Sequence, residues 1–159
     1  MVEDYSGKVR SEWVDHNGHM NLAYYVLAFD IATDVFFRRF GVDQNYRNSR
    51  HLSTFAGNIH VYYKSELHLD DEFKINCSLL GFDNKRIRHM NRMFRTNDGV
   101  EVALMESLQL HVDLKERRVC VMPDPLLAQL EKLQFEQGPI EAPREIGQAI
   151  TKPPVYKNS

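Results

Sequence analysis

The sequence has almost no excess charge of either sign. Its 20 lysines and arginines are balanced by 22 aspartates and glutamates, for a formal net charge of −2 over 159 residues. Nucleic-acid-binding domains are usually basic, so this balance argues against nucleic acid as a partner. No apolar run approaches the roughly 20 residues that a membrane helix needs. The start, MVEDYSGKVR, lacks the apolar core of a secretory signal. We therefore expect a cytoplasmic protein without a membrane partner.

Cysteine is scarce as well. Cys77 and Cys120 form neither a C-x-x-C pair nor a zinc pattern, and we interpret each as a small apolar filler in a reducing compartment. The pair His16-x-x-His19 supplies only two of the ligands that a metal site requires. The sequence also contains no G-x-S-x-G elbow and no Walker loop. We expect neither a metal nor another cofactor.

The apolar pattern that is present predicts helices and strands in a definite order. Apolar residues at spacings of three and four predict a long helix that begins after Asn21 and ends near Gly41. A short strand is predicted before it, at 8–13, and a terminal helix starts at Asp124. Alternating patterns predict strands at 55–63, 73–79 and 100–112. A strand of mixed pattern at 86–96, a hairpin turn at 97–99 and a short strand at 117–122 complete the order.

This order indicates an α+β fold in which a curved antiparallel sheet wraps around one long central helix. We predict a single domain over 1–137 and a proline-containing C-terminal tail over 138–159, either loose or lying on the surface. Strands left uncovered on their second face favour pairing with another copy. We therefore expect a homodimer or a dimer of dimers.

The least ordinary segment is the one from Glu12 to Asn21, directly before the long helix. It gathers two carboxylates, two imidazoles and two amides around one glycine. The free N–H groups and positive dipole end of the helix can stabilise an oxyanion and keep Asp15 ionised. A plain capping loop is the alternative for Asp15 alone, but capping explains neither His19 nor Trp13.

Glu106 occupies the apolar phase of the strand at 100–112. A carboxylate in that phase is half-buried, paired or functional, and if it faces the helix it is a second acid near the site. A bulge that turns Glu106 outward is the alternative. His111 falls on the opposite phase and is expected to be exposed.

Two groups of side chains have two interpretations each. The cations at the start of the strand at 86–96 form either a solvated edge or an anchor for phosphates; they are Lys85, Arg86 and Arg88. Several aromatic residues belong either to the core or to an acyl pocket, with a cage for a quaternary ammonium as a sharper alternative; they are Trp13, Tyr24, Tyr25, Tyr62 and Tyr63.

The string Asp15-x-x-Gly18-His19-Met20-Asn21, followed by Tyr25, resembles the signature of hotdog-fold acyl-CoA thioesterases of the 4-hydroxybenzoyl-CoA type. The strand order extends this resemblance over 5–135. Further strings are closer still to betainyl-CoA thioesterases, which act in carnitine degradation; they are the full segment 12–21, Thr33-Asp34, Gly41-Val42-Asp43 and Leu80-Gly81-Phe82-Asp83-x-Lys85-Arg86-x-x-His89.

The resemblance implies a hotdog dimer that hydrolyses a small acyl-CoA, with Asp15 as nucleophile or general base. The N–H of Leu22 would polarise the thioester carbonyl, and His19 and Asn21 would position the loop or a water. Many relatives carry a second asparagine where this chain has Leu22, and Glu106 is the candidate helper that compensates for it. The resemblance and the residue types together give the substrate-binding candidates Trp13, Tyr25, Lys85, Arg86 and Arg88.

Two alternatives to hydrolysis stand beside this reading. Dehydratases on the same fold pair an aspartate with a histidine for proton abstraction, and they act on similar thioesters. A non-catalytic acyl-CoA-binding dimer would keep the aromatic slot and Lys85 without needing Asp15. Release of free thiol separates hydrolysis from both.

Overall fold

A 17-residue helix lies at the centre of the structure, a computed structural model that describes residues 5–149. None of the helices in this range is long and apolar enough to cross a membrane. The elements in chain order are β1 (Tyr5–Lys8), a 3-10 turn (Ser11–Trp13), α1 (Leu22–Arg38), α2 (Gln44–Arg50), β2 (Leu52–Tyr63), β3 (Glu72–Phe82), β4 (Arg86–Arg95), β5 (Glu101–Asp113), β6 (Arg118–Val119) and α3 (Asp124–Gln137).

The strands form one antiparallel sheet in the order β1-β3-β4-β5-β2, with β6 paired to β5. One face of the sheet, here called the helix face, packs against α1. Phe73, Ile75 and Leu79 of β3 point to this face and are at most 1% exposed, as their alternation predicted. On the helix side, Phe29 and Phe36 are fully buried. The predicted α+β hotdog fold, a curved antiparallel sheet around a long helix, is confirmed.

Two short elements differ from the sequence prediction. The prediction of a strand at 8–13 is wrong, because β1 ends at Lys8 and residues 11–13 form a 3-10 turn. The turn buries Trp13 against the ring of Tyr24, at 5.5 Å between centroids. The helix α2 was not predicted, since only Tyr46 of its seven residues is buried and no apolar stripe marks it.

A bulge in β2 changes which side chains share a face. The pairing with β5 shifts at Gly57, where an added Cβ would lie 2.9 Å from the side chain of Leu110. Before the bulge Phe55 stands opposite Leu110, and after it Ile59 stands opposite Ser107. Adjacent positions of a strand point to opposite faces. The strand predicted at 55–63 is present, but Phe55 and Ile59 point to opposite faces of the sheet because of the bulge.

The apolar phase of β5 faces away from α1. Ser107 of β5 stands opposite His89 of β4, and the His89 ring contacts the ring of Phe37 on α1, at 5.3 Å between centroids. The helix face of β5 thus carries the other phase, which includes His111. His111 is fully buried rather than exposed, because Tyr46 places its hydroxyl 2.8 Å from His111 Nε2 and a partnered polar group tolerates burial.

His89 forms a buried polar cluster under α1. The Asn91 amide nitrogen donates to the Phe29 carbonyl at 3.0 Å and to Thr33 Oγ1 at 2.9 Å. Asn91 Oδ1 is therefore an acceptor, so His89 Nδ1, 2.9 Å away, carries the proton. His89 Nε2 has no partner within residues 5–149. Burial lowers the pKa of His89 to about 4.

We predict that His89 makes stability depend on pH. Its pKa of about 4 in the folded state lies below the ordinary value of 6.5, so the unfolded chain binds a proton first as pH falls. Above pH 6.5, His89 is neutral in both states and the free energy of unfolding does not depend on its protonation. Between pH 6.5 and pH 4, protonation of the unfolded chain lowers the free energy of unfolding by about 3 kcal/mol. Urea unfolding across this range, compared with His89→Gln at equal protein concentration, measures the difference. If the free energy of unfolding depended on pH in the same way for the two proteins, the prediction would be contradicted.

The segment over 138–149 crosses the face of the sheet opposite to α1, here called the outer face. The Gly147 N–H donates to Glu106 Oε2 at 2.7 Å, and the Tyr62 hydroxyl donates to the Glu145 carbonyl at 2.9 Å. Leu104, an outer-face residue of β5, is fully buried. This part of the predicted tail lies on the surface, whereas residues 1–4 and 150–159 lie outside the described residues.

Candidate active site

The loop before α1 is closed by short-range backbone contacts. An isolated β-bridge joins Val14 to Met20. Inside it, the Asp15 N–H donates to the His19 carbonyl at 3.2 Å, and the Gly18 N–H donates to the Asp15 carbonyl at 3.0 Å. Gly18 has a φ of 80°, which side-chain-bearing residues adopt only with strain. The glycine in this motif therefore has a direct conformational role.

The Asp15 carboxylate accepts one hydrogen bond on each oxygen. Asn21 Nδ2 donates to Oδ2 at 2.9 Å, and the Asn17 N–H donates to Oδ1 at 2.8 Å. These two donors, Asn21 first, lower the pKa of Asp15 below its usual value. Asn21 Oδ1 in turn accepts from the Ala23 N–H at 3.0 Å. One asparagine thus caps the helix and orients the carboxylate.

Leu22 begins α1 directly beside this carboxylate. The first N–H groups of a helix have no acceptor within the helix, and the N–H groups of Ala23 and Tyr24 are taken up by Asn21. The Leu22 side chain is 62% exposed. The helix dipole adds a partial positive charge at this end. The Leu22 N–H is therefore suited to stabilise an oxyanion close to Asp15.

A cleft of about 260 Å³ lies between the start of α1 and the end of β2. We call it the Tyr63 cleft; it is lined by His19, Met20, Leu22, Tyr25, Tyr63, Lys64, Ser65 and Glu66. The rings of Tyr25 and Tyr63 meet edge to face at 5.3 Å, and the Tyr63 hydroxyl donates to the Leu22 carbonyl at 3.1 Å. An apolar and aromatic cleft therefore adjoins the candidate oxyanion donor.

The two aromatic residues predicted to bind substrate have different positions. Tyr25 lines the cleft, although it is only 3% exposed, and its hydroxyl accepts from the Leu67 N–H at 3.0 Å. Trp13 is 6% exposed and stacks on Tyr24 beneath the loop. Trp13 is thus a core residue that supports the loop, while Tyr25 serves both core and cleft.

His19 connects the loop to a residue that sequence reasoning missed. Its Nδ1 lies 3.1 Å from the Met20 carbonyl, and its Nε2 lies 3.8 Å from the Glu66 carboxylate. Glu66 is also 3.4 Å from His68 Nε2. No local pattern marks Glu66, because it reaches His19 only through the fold. No group of three or more histidine, cysteine or acidic side chains within residues 5–149 converges as a metal site would.

The predicted cations lie at the other end of α1 from Asp15. They stand at the start of β4, which passes under the last turns of α1 where His89 contacts Phe37. The 17 residues of α1 span about 25 Å. Arg86 is paired with Asp83, with Nε 2.7 Å from Oδ2, while Lys85 is exposed. A single chain therefore does not bring these cations to the carboxylate.

Glu106 is on the outer face of the sheet and does not approach α1. Arg88 Nε donates to Glu106 Oε1 at 2.6 Å, and the Gly147 N–H donates to Oε2. Of the two alternatives for Glu106, the structure shows the outward-facing one. The reason is that the neighbouring apolar residues of β5 also point away from α1, and not a bulge at Glu106 itself. The carboxylate is paired there, and its contacts hold the segment over 138–149 against the sheet.

Comparison with known proteins relates this geometry to a family. The thioesterase-like superfamily matches residues 9–130. The betainyl-CoA thioesterase of Pseudomonas aeruginosa is 32% identical over 155 residues, which cover 98% of each chain. An Agrobacterium fabrum protein that joins L-carnitine dehydrogenase to betainyl-CoA thioesterase is 35% identical over 133 residues, or 83% of this chain and 27% of that protein.

Solved structures of similar proteins superpose on this chain over nearly its whole length. A Staphylococcus aureus protein in complex with CoA superposes with a TM-score of 0.88 at 25% identity, covering 96% of both chains. A thioesterase-like protein from Pseudomonas putida superposes with a TM-score of 0.81 at 31% identity, covering 96% of this chain and 97% of that one. The likeness thus extends over nearly the whole fold.

Proposed function

The chain belongs to the thioesterase-like superfamily, and we propose that it hydrolyses the thioester of a small acyl-CoA to the free acid and CoA. It is a thioester hydrolase, as the sequence predicted. The observation that carries the proposal is the Asp15 carboxylate, oriented by Asn21 at 2.9 Å beside the first turn of α1. This arrangement supplies a base or nucleophile next to an oxyanion donor.

In the proposed mechanism the thioester carbonyl oxygen accepts the Leu22 N–H. Asp15 then either removes a proton from a water that attacks the carbonyl carbon, or attacks that carbon itself. In the first route the C–S bond breaks and the proton passes to the sulfur of CoA. In the second, CoA thiolate leaves first and water opens the acyl anhydride. Asn21 orients Asp15 in both routes, and His19 holds the loop.

We propose betainyl-CoA as the substrate, which would place the enzyme in carnitine degradation. The support is the Pseudomonas aeruginosa relative of that name, which matches 98% of this chain at 32% identity. The CoA complex of the Staphylococcus aureus relative supports the CoA half of the substrate. No disulfide joins the two cysteines of the described residues, Cys77 and Cys120. This is typical of proteins in a reducing compartment, and we propose the cytoplasm.

We propose that the protein forms a homodimer through β2. β2 ends the strand order of the sheet within residues 5–149, and its Phe55 and Ile59 are both 42% exposed. A long apolar edge of this kind favours strand pairing. Two-fold pairing through β2 would set the two α1 helices antiparallel, so the partner's β4, with its cations, would approach Asp15. Lys85, Arg86 and Arg88 are then proposed to bind the CoA phosphates across the interface.

We predict that Ile59→Glu converts the dimer to a monomer and removes most thioesterase activity. A carboxylate at this edge would be buried without a partner on association, which opposes pairing. Sedimentation velocity reports the assembly, and thiol release reports the activity. Val121→Glu is the matched control, since Val121 is 53% exposed and lies after β6 rather than on β2. A dimeric, active Ile59→Glu variant would contradict the proposed interface.

A panel of acyl-CoA substrates with detection of free thiol tests the proposed function. We expect thiol release to be greatest for small acyl groups, with betainyl-CoA included. Formation or hydration of a double bond without thiol release would identify a dehydratase instead. Binding of acyl-CoA without turnover would identify a binding protein and would also overturn the proposal.

A further inference from the structure

The Tyr63 cleft contains one carboxylate, Glu66, among its eight lining residues. The only other charged lining side chain, apart from the imidazole of His19, is Lys64. Its ammonium lies 3.1 Å from the carboxylates of both Glu101 and Glu145. The positive charge of Lys64 is therefore neutralised by two carboxylates that do not line the cleft. The negative charge of Glu66 is not neutralised by Lys64.

Glu66 has no permanently charged partner of opposite sign within residues 5–149. Its carboxylate contacts the imidazoles of His19 and His68, at 3.8 and 3.4 Å. Arg95 reaches only the backbone carbonyl of Glu66, at 3.0 Å, and its guanidinium pairs with Asp98 at 2.9 Å. The Glu66 side chain is 62% exposed, so an incoming cation has access to it.

The remaining walls suit a cation that cannot donate hydrogen bonds. Tyr63 is 47% exposed beside the buried Tyr25, and Leu22 adds an exposed aliphatic residue. Aromatic rings attract quaternary ammonium groups, and more strongly once water is excluded. A carboxylate at the edge of such a cleft adds a charge that favours a cation over a neutral group of equal shape.

The cleft is also correctly placed relative to the proposed chemistry. Leu22 lines it with its side chain and, in the proposed mechanism, binds the thioester oxygen with its N–H. We propose that the Tyr63 cleft binds the quaternary ammonium head of a cationic acyl group, with Glu66 and Tyr63 as the residues that select it. The inference rests on the proposed function, because it assumes a thioester carbonyl at Leu22.

The test compares two thioesters of equal shape, trimethylammonioacetyl-CoA and its neutral carbon counterpart 3,3-dimethylbutanoyl-CoA. The measured quantity is the ratio of kcat/KM for the cationic substrate to that for the neutral one. We expect Glu66→Gln to lower this ratio about tenfold, and Tyr63→Leu to lower it as well. The matched control is Glu131→Gln, an equal charge change on the exposed side of α3, which leaves the ratio unchanged.

The outcomes separate this inference from the proposed function. A ratio that Glu66→Gln leaves unchanged overturns the assignment of Glu66, and so does a wild-type enzyme that hydrolyses both thioesters without preference. In both cases thiol release still supports the proposed function. A wild-type protein that hydrolyses neither thioester overturns both proposals together.

Discussion

Replacing Asp15 by asparagine is expected to lower kcat/KM for thioester hydrolysis by about 10²–10⁴-fold. The amide can neither attack the thioester nor accept a proton from water. The carboxylate is ionised in the native protein, because hydrogen bonds from Asn21 and Asn17 lower the pKa of Asp15. Thiol release at saturating and limiting substrate, from pH 5 to 8, measures the loss.

The same substitution also removes a hydrogen bond within the loop, so a structural effect must be separated from a catalytic one. Asp15 accepts from both Asn21 and Asn17, whereas an asparagine has only one accepting oxygen in its side chain. The loss of one hydrogen bond costs about 1 kcal/mol, so folding and assembly should persist. Asp70→Asn is a matched control, since Asp70 has a φ of 67° that asparagine tolerates. Unchanged turnover in Asp15→Asn would refute the assignment of Asp15.

Replacing Leu22 by proline is expected to lower kcat by about 10²–10³-fold, the usual effect of losing one oxyanion donor. Proline has no N–H, and the first position of a helix is where it is best tolerated. The preceding residue, Asn21, has φ −66° and ψ 145°, a conformation that residues before proline favour. The substitution therefore removes the proposed donor while α1 can remain intact.

Leu22→Ala is the matched control for this experiment. Both substitutions remove the exposed leucine side chain, but only alanine keeps the backbone N–H. The difference between the two variants therefore measures the effect of the backbone donor. Far-ultraviolet circular dichroism and thermal unfolding of both variants report whether α1 is preserved. Equal rates for the proline and alanine variants would show that the Leu22 N–H does not stabilise the oxyanion.

The features that sequence reasoning predicted correctly depend on neighbours close in the chain. The start of α1 follows from a cap in which Asn21 binds the N–H of Ala23. The helix-facing phase of β3 follows from the alternation of its apolar residues Phe73, Ile75 and Leu79, which are at most 1% exposed. Asp15 and Asn21 meet at 2.9 Å across six positions, so the geometry of the loop is also local. Such contacts join residues a few positions apart, so a local sequence pattern can predict them.

The features that sequence reasoning missed depend on burial by distant segments. Which phase of β5 faces α1 could not be read from its apolar residues, because the segment over 138–149 lies on the outer face and binds Glu106 there, and the outer-face residue Leu104 is fully buried. His111 is buried because α2 supplies Tyr46 as its hydrogen-bond partner. In both cases a remote element changes the cost of burying a side chain.

The sequence by itself determined the order of the long elements, the central helix and the loop that holds Asp15, since periodicity and capping act over a few residues. Only the tertiary structure placed Glu66 within 3.8 Å of His19 and Glu106 on the outer face with Arg88. Side-chain contacts between distant segments depend on strand register and on the bulge at Gly57. A shift of one residue in register moves every side chain to the opposite face, and this is the physical reason for the difference.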